Sequence, residues 1–600
     1  MTQEATAPPA SGGRARRGSA SALPPLDAAE QEALDVDIAV LQQGSRTWTG
    51  LTVAQRATLL RALRTSVAAA AADWANAAAD SKQLPAGHPL RGEEWLSGPY
   101  SVLGAIDAYV DTLTKLADGR SALDGVDIAR APGGRTRVRA FPLSGIDAFL
   151  LSGFSGEVWL KPGVTPRTAR TAAGLAQLTP TASGGVGLVL GAGNITAIPV
   201  LDVLYELLAH NRVALLKVNP TQDALVPVFE RALAPLIEPG LLRIVRGGPA
   251  VGAHLTARRD LVHVHITGSA ATFDAIVWGQ GAAARRRRRE NRPLLKKPIT
   301  AELGGVSPII VVPGEWTDAD IAFQAEHIAT MRLQNCGHNC IAGQVVLISQ
   351  DWPQAEQFRI ALRHAYASAP ERPIWYPGSS ARMQRAEDDY PDALQLGDRL
   401  LVEIEEGQDA SALQSTEYFA PVLGVVELPG TGQAFLDTAV AHANERLQGA
   451  LGANVLVDPL TERSLGSGFE RAIAQLRYGS IAINAWTAFG FIIPTLTWGA
   501  FPGSTIEDVG SGIGVVHNAL LLDDVERSVV RGPFRPFPRW VSDGIRRPGS
   551  LGLSRRTILP TPPWFVTART GARVSEGLTR FRAHGGVPGL VRTLLQALRA

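Results

Sequence analysis

Cys340 is one of only two cysteines in 600 residues and stands in the stretch Gln334–Gln344, QNCGHNCIAGQ, just before the small pair Ala342 and Gly343. Thirty-eight residues earlier lies Glu302, a carboxylate among apolar and small neighbours in AELGGVSP. A thiol can attack a carbonyl carbon covalently, and a carboxylate beside it can activate the water that releases the product. Taken singly, each has a plainer reading. An isolated cysteine is most often a small packing residue, and a strand-end glutamate is often solvated. The run Cys336-Gly-His338-Asn-Cys340 holds three ligand types, but it lacks a fourth nearby partner and the usual zinc spacing, so no metal is expected. Cys336 is read as structural.

Such a pair needs a scaffold, and length and composition bound it. A chain of 600 residues exceeds what one core usually supports, so two or more domains are expected. Apolar residues at 45% and charged ones at 19% describe a globular chain with ample core material. A net charge of +2 predicts no dominant polyanionic partner, and no nucleic acid is expected. The balance is uneven, since residues 531–600 hold thirteen arginines against only Asp543 and Glu576. Two cysteines and no secretory signal point to a reducing, cytoplasmic setting. Residues 1–25 have basic side chains but no apolar run and read as a disordered leader. Ser480 to Thr505 carries no charge over 26 residues, long enough to span a bilayer, but its Asn484, Pro494, Pro502 and glycines make a poor helix. It is read instead as a buried loop and strand beside an apolar pocket.

The coarse pattern is α/β. Residues 27–116 are rich in alanine and leucine and predict several helices. Residues 137–151 look extended, with hairpin character. Apolar strands at 185–190, 213–218, 241–245 and 261–266 alternate with helices at 198–210 and 223–237, the mark of a doubly wound parallel sheet. The pattern restarts with a strand at 308–312, a helix at 318–333 and a strand at 345–349. The expected organisation is N-terminal helices plus a doubly wound cofactor domain over 26–303, and a second α/β catalytic domain over 304–485. A return segment at 486–530 completes the core, and an Arg/Pro-rich arm covers 531–600.

The strand ends of the first domain look suited to a phosphate-bearing cofactor. Gly191-Ala-Gly193-Asn194 follows the first strand, Lys217 ends the second, Gly247–Gly252 with Gly248 follows the third, and Gly268-Ser269 follows the fourth. The glycines do not match GxGxxG, and any one of these turns alone would be ordinary.

Together these segments resemble the aldehyde dehydrogenase superfamily, from roughly Gly185 to Gly514. The nucleophile frame N-x-G-x-x-C-x-A-G runs from Asn335 to Gly343, ELGG is Glu302–Gly305, and E-x-F-x-P-V is Glu417-Tyr-Phe419-Ala-Pro421-Val422. The resemblance implies NAD or NADP as cofactor and an aldehyde as substrate. It implies that Cys340 is the nucleophile, that Glu302 activates water, and that the Asn194 amide meets the substrate oxyanion with the Cys340 backbone N–H. It also implies that Lys217 contacts the adenosine ribose, that Gly268 and Ser269 lie near the pyrophosphate, that Glu417 holds the nicotinamide ribose and that Phe419 lies beside the ring. The product is then a carboxylic acid, formed through a thiohemiacetal and a thioester on Cys340.

The departures carry information too. Pro220 stands where NAD-preferring members often place a glutamate, which leaves NADP open. GAGN replaces the usual PWN, and Ala420 replaces a usual glycine. Arg285–Arg289 is read as a solvated insertion. The terminal arm is read as extended, wrapping the body and ending in an amphipathic helix over 587–598. Subunit contact in a homo-oligomer is the favoured role for it, and attachment to anionic lipid the less favoured one. Trp486, Phe489, Phe491 and Trp498 point to a bulky apolar aldehyde. Two rival readings are a CoA-acylating reductase, against which Glu302 argues because such an enzyme needs no water activator, and a non-catalytic binding protein on the same fold.

Overall fold

The computed structural model describes residues 25–405, 407–535 and 561–599. The leader read over 1–25 and the central part of the terminal arm therefore lie outside the described residues, apart from Pro25. Each of the first two long helices begins on a capping box: Asp27 with Glu30 for Ala28–Gly50, and Thr52 with Gln55 for Val53–Ser81. In the second, Leu60, Leu63, Val67, Ala71, Trp74 and Ala78 recur at helical spacing and are buried, while Arg61, Thr65, Ala69, Ala72 and Asn76 are exposed. With Ser101–Ala117 these helices form the N-terminal layer expected from the alanine-rich sequence.

Two sheets carry the rest. The smaller has six strands in the order Gly512–Ile513, Ile299–Leu303, His263–Gly268, Val186–Leu190, Val213–Lys217 and Leu242–Val245. All its pairs are parallel except the edge, where Gly512 lies antiparallel opposite Glu302. From Val186–Leu190 the chain first builds outward to one side and then returns to add His263–Gly268 on the other. The carboxyl ends of these two central strands thus flank a topological switch point, where open α/β sheets bind ligands.

The larger sheet has eleven strands, with a parallel centre built on Ser307–Val311 and Gly343–Ser349. Strands Ile128–Ala131, Arg135–Phe141 and Ser155–Leu160, which precede the smaller sheet in sequence, join the larger one through Val525–Arg531. Strand pairing therefore crosses the boundary expected at residue 303. The doubly wound α/β expectation describes the cofactor-side sheet, whereas the second sheet is larger and more mixed than the sequence pattern indicated.

Three local expectations need correction. Residues 137–151 are not extended throughout: the strand ends at Phe141, and Gly145–Leu150 forms a short helix whose N-cap Ser144 accepts the Asp147 N–H at 3.1 Å. The single helix read over 223–237 is split into Val226–Ala232 and Ala234–Ile237, each with a proline near its start. The described part of the terminal arm is not extended. It forms two helices, Gly571–His584 and Val587–Ala597, and the first packs on the N-terminal helical layer. A Cβ at Gly92 would lie 2.6 Å from the Ala572 Cα, so that contact is backbone against backbone. Ser480–Thr505 is a buried strand, Ser480–Ile483, followed by the short helix Ala488–Ile492. Among the described residues no helix is long and apolar enough to cross a membrane.

Beneath the smaller sheet lies a buried polar ladder. His263, His265 and Thr267 alternate onto one face of their strand and meet Asp202 and Glu206, which are one helical turn apart on Ile198–His210. Asp202 accepts from Thr267 at 3.1 Å and pairs with His517 at 3.1 Å and His265 at 3.5 Å, while Glu206 pairs with Arg212 at 2.9 Å and His263 at 3.2 Å. Burial raises the Asp202 carboxyl, yet the His265 and His517 imidazoles overcome this and hold it well below the usual carboxylate range. Removing one partner of a buried pair leaves the other charge uncompensated. Asp202→Ala is therefore expected to lose about 3–5 kcal/mol of stability, read from the chemical-denaturation midpoint at neutral pH; a change under about 0.5 kcal/mol would show the ladder to be energetically idle.

Candidate active site

Cys340 is half-buried where two cavities meet. The larger, about 900 Å³, opens at the carboxyl ends of the smaller sheet and is lined by Asn194, Lys217, Gly248, Gly268, Ser269, Glu302, Cys340, Glu417 and Phe419. Every residue singled out in the sequence as catalytic or cofactor-binding thus borders one space. The smaller, about 280 Å³, reaches Cys340 from the other side between apolar walls.

The loop that carries Cys340 is held in an unfavourable backbone shape. Asn335 and Cys336 have φ of 53° and 58°, and Gly337 follows at 73°. Left-handed conformations cost about 1–3 kcal/mol for residues other than glycine, so the surroundings must over-determine them. They do so through a dense set of hydrogen bonds. The Asn335 N–H donates to the Glu93 carboxylate at 3.0 Å, and Arg372 pairs with the same carboxylate in a buried contact. The Asn335 amide donates to the Asn194 carbonyl at 3.1 Å and the His338 carbonyl at 3.0 Å. Arg332 donates to the carbonyls of Ala342 and Ala420, tying both ends of the loop region to the E-x-F-x-P-V segment. A Cβ at Gly337 would stand 2.7 Å from the Ala420 oxygen, and one at Gly343 would stand 2.5 Å from the Ile309 side chain. These two close approaches explain the glycines of the N-x-G-x-x-C-x-A-G frame. Burial pushes the Cys336 thiol up to about 12, in keeping with a structural side chain.

Asn194 donates its side-chain amide to the His338 carbonyl at 2.9 Å, two residues before the thiol. That bond orients the amide and uses one of its two N–H groups. His338 itself is buried, its Nε2 at 2.9 Å from the Ser379 hydroxyl and its ring among Trp375, Tyr376 and Phe419. Burial together with Arg372 and Arg382 pushes it down to about 2, so the ring is neutral.

Glu302 ends its strand opposite Thr267 and Gly512. It is 3% exposed. Its carboxylate accepts from the Trp498 indole at 3.2 Å and lies close enough to the Cys340 thiol for each to shift the other. Burial lifts Glu302 to about 7, against the pull of those two neighbours. Burial and the neighbouring Glu302 charge raise the Cys340 thiol well above its usual range, so the sulfur keeps its proton. The ELGG glycines follow from packing: a Cβ at Gly304 would stand 2.0 Å from a Glu417 oxygen, and one at Gly305 would stand 2.9 Å from the Gln448 carbonyl.

The larger cavity fits a phosphate-bearing dinucleotide. Helices Pro249–Ala257 and Ala270–Trp278 begin at its wall, and the first has no side-chain cap at Gly248. A Cβ at Gly248 or Gly252 would meet nothing within 4 Å, so both glycines face open space. Lys217 supplies a half-buried cation whose pKa burial lowers. One Glu417 oxygen is buried without a protein partner, leaving an acceptor for a hydroxyl. Burial lifts that carboxyl to about 8, with Arg332 opposing and Glu302 adding to the rise.

Several residues of this site escaped the sequence reading. Glu93, Arg372 and Arg332 are charges at the back of the Cys340 loop, from segments with no motif; the only signal was the adjacent acidic pair Glu93-Glu94. Trp498 was noticed as apolar surface, not as a donor to Glu302.

The aldehyde dehydrogenase family model matches residues 174–370. The match includes Asn194, Lys217, Glu302 and Cys340 and stops short of Glu417 and Phe419. A betaine aldehyde dehydrogenase of Cereibacter sphaeroides is 27% identical over 270 residues, covering 42% of this chain and 50% of that protein. Aldehyde dehydrogenase 1 of Tanacetum cinerariifolium is 30% identical over 166 residues, covering 24% of this chain and 30% of that protein. This chain thus spans half or less of the length of these curated relatives. In fold it is similar to a Mycobacterium tuberculosis aldehyde dehydrogenase solved with NAD+, at 19% identity and a TM-score of 0.55 over 86% of this chain and 92% of the other. It is also similar to an NADP-dependent glyceraldehyde-3-phosphate dehydrogenase of Bacillus halodurans solved with NADP, at 18% identity and a TM-score of 0.53 over 83% and 91%. The aldehyde dehydrogenase family model thus takes in both the thiol and the carboxylate, and the fold is similar to that of solved aldehyde dehydrogenases over most of the chain.

Proposed function

We propose that this protein oxidises an aldehyde to a carboxylic acid with NAD+ or NADP+, through a covalent bond between Cys340 and the substrate carbon. The observation that carries this reading is the position of Cys340, bordering both cavities and sharing the larger one with the buried Glu302 carboxylate. The similarity to enzymes solved with NAD+ and with NADP supports the cofactor, and the donor set of the larger cavity suits it.

Glu302 takes the thiol proton as the sulfur adds to the aldehyde carbon. The growing oxygen charge meets the free N–H of the Asn194 amide, whose other N–H is held by His338. Lys217, the Gly248 turn and Ser269 would hold the dinucleotide phosphates and ribose, and Glu417 would take a ribose hydroxyl. A nicotinamide held in the larger cavity would supply the acceptor for the hydride that leaves the substrate carbon. What remains on Cys340 is a thioester. Glu302 first gives up the thiol proton to solvent and then draws a proton from water, whose oxygen adds to the thioester carbon. The sulfur leaves, takes that proton back as the thiol, and the carboxylic acid departs. A base near pH 7 suits both tasks, because it accepts and returns protons at little cost.

Three measurements test this reading. Cys340→Ser is expected to reduce turnover to background while leaving dinucleotide binding intact; undiminished turnover would end the proposal. Glu302→Gln is expected to lower kcat by about 10²–10⁴-fold. In the unmodified protein kcat/KM should rise with pH through about 7 as Glu302 loses its proton, and the variant should lose that limb; an unchanged pH profile would assign the base elsewhere. Gly248→Val has room and an ordinary φ of −83° at that position, so the fold should persist. Its side chain enters the larger cavity and should raise the dissociation constant for reduced cofactor at least tenfold, followed by fluorescence titration; unaltered affinity would place the dinucleotide elsewhere.

A further inference from the structure

The smaller cavity is closed by residues that lie outside the stretch matched to the family. One side is formed by Phe489 and Trp498 from the return segment. The outer side is formed by the terminal segment, through Trp564, Val566, Leu578 and Leu594. That segment is anchored firmly. The Val566 N–H donates to Thr330 at 3.1 Å and Thr567 donates to Glu326 at 2.9 Å, both on the helix that leads into the nucleophile loop. Trp564 sets its ring edge-on to Phe489 with centroids 5.2 Å apart. The two terminal helices cross tightly, since a Cβ at Gly577 would stand 2.2 Å from the Thr593 hydroxyl oxygen. Arg582 reaches the Tyr100 hydroxyl at 3.2 Å, and Arg64 holds the Ala583 carbonyl at 3.2 Å.

The chemistry of the walls restricts what can enter. Glu93 is the one charged side chain on them among the described residues, and Arg372 already neutralises it behind the nucleophile loop. An aldehyde carrying a carboxylate, phosphate or ammonium group would find no counter-charge there and would lose its hydration. A hydrocarbon tail would gain contact with aromatic and aliphatic side chains. An apolar cavity of about 150 Å³ holds one benzene, so 280 Å³ accommodates a tail of roughly ten carbons.

We propose that the terminal segment 563–597 is the outer wall of a substrate channel selective for uncharged aldehydes with long or bulky apolar tails, and that Trp564 and Leu578 set this selectivity. The proposal rests on the aldehyde-oxidising reading above and adds a substrate class and a role for a segment beyond the family match. Leu578→Trp narrows the channel without touching Cys340, Glu302 or the dinucleotide cavity.

The test compares the full-length protein and this variant in two assays. In the first, the ratio of kcat/KM for decanal to that for propanal is expected to exceed about 10² in the unmodified protein and to fall at least tenfold in the variant. In the second, decanamide, which has the tail but cannot be oxidised, is expected to quench tryptophan fluorescence of the unmodified protein and to bind at least tenfold more weakly to the variant. Equal ratios in the two proteins, or a preference for succinic semialdehyde over decanal, would overturn the channel assignment while leaving aldehyde oxidation standing. Decanamide binding that the variant loses, with no aldehyde oxidised by either protein, would instead sink the proposed reaction and keep the channel. If Leu578→Trp fails to fold by thermal melting, Leu594→Phe on the facing helix reads the same ratio.

Discussion

Glu302, buried, and Cys340, half-buried, lie beside one another at the same cavity, and the geometry around them serves to keep that pair together. A carboxylate in such a place raises its own pKa and that of the neighbouring thiol, because each charged form opposes the other and burial opposes both. Neither group reaches this position by local sequence preference. Glu302 stands at the end of a strand in the smaller sheet, with Gly512 pairing from the far side. Cys340 stands just before a central strand of the larger sheet, in a loop with successive left-handed residues. The two sheets must be fixed relative to one another for the contact to exist.

The two sheets share one apolar core, and the loop that carries Cys340 is pinned by buried polar contacts. Glu93 and Arg372 grip the back of the nucleophile loop, Arg332 joins it to Ala420, and the Lys82–Glu94 pair at 2.8 Å lies beside them in the N-terminal layer. Buried charges of this kind are poor sources of net stability, but they tolerate few alternative arrangements once their partners are set. The glycines complete the constraint from the other side. At Gly304, Gly337 and Gly343 a methyl group would collide with a carboxylate, a carbonyl or a core isoleucine, so these positions record close approaches that no other residue permits.

How much of this was legible in the chain depends on the range of the interaction. Strands at 186–190, 213–217 and 263–268 were visible because buried parallel strands read as short apolar runs, and the residues at their carboxyl ends could be placed around one crevice by topology alone. Cys340, Glu302 and Asn194 stood out through short motifs. The split at Leu233 was missed because Pro227 and Pro235 sit where each short helix begins, a position that an isolated periodicity tolerates. Helix Gly571–His584 was missed because its arginines and glycines dominated the composition, although Val574, Leu578 and Phe581 keep a helical spacing. Glu93, Arg332 and Arg372 were invisible for a deeper reason. Their meaning comes from contacts across hundreds of residues, and an isolated charge in a sequence does not say what it faces.

The terminal helices show the same lesson in the substrate channel. The arm was read as a subunit contact ending in an amphipathic helix over 587–598, and its sequence alone did not show that Leu578 and Leu594 line the cavity beside Cys340.

The proton that Cys340 keeps at rest has a further effect. Oxidants and electrophilic reagents attack the thiolate, and the rate follows the fraction of it present. With Glu302 against it and burial around it, the sulfur spends almost all its time in the unreactive form. Reactivity is thereby withheld from peroxide and from stray electrophiles until the neighbouring carboxylate is drawn into the reaction, which gives this residue a chemical longevity that an exposed, acidic cysteine would lack.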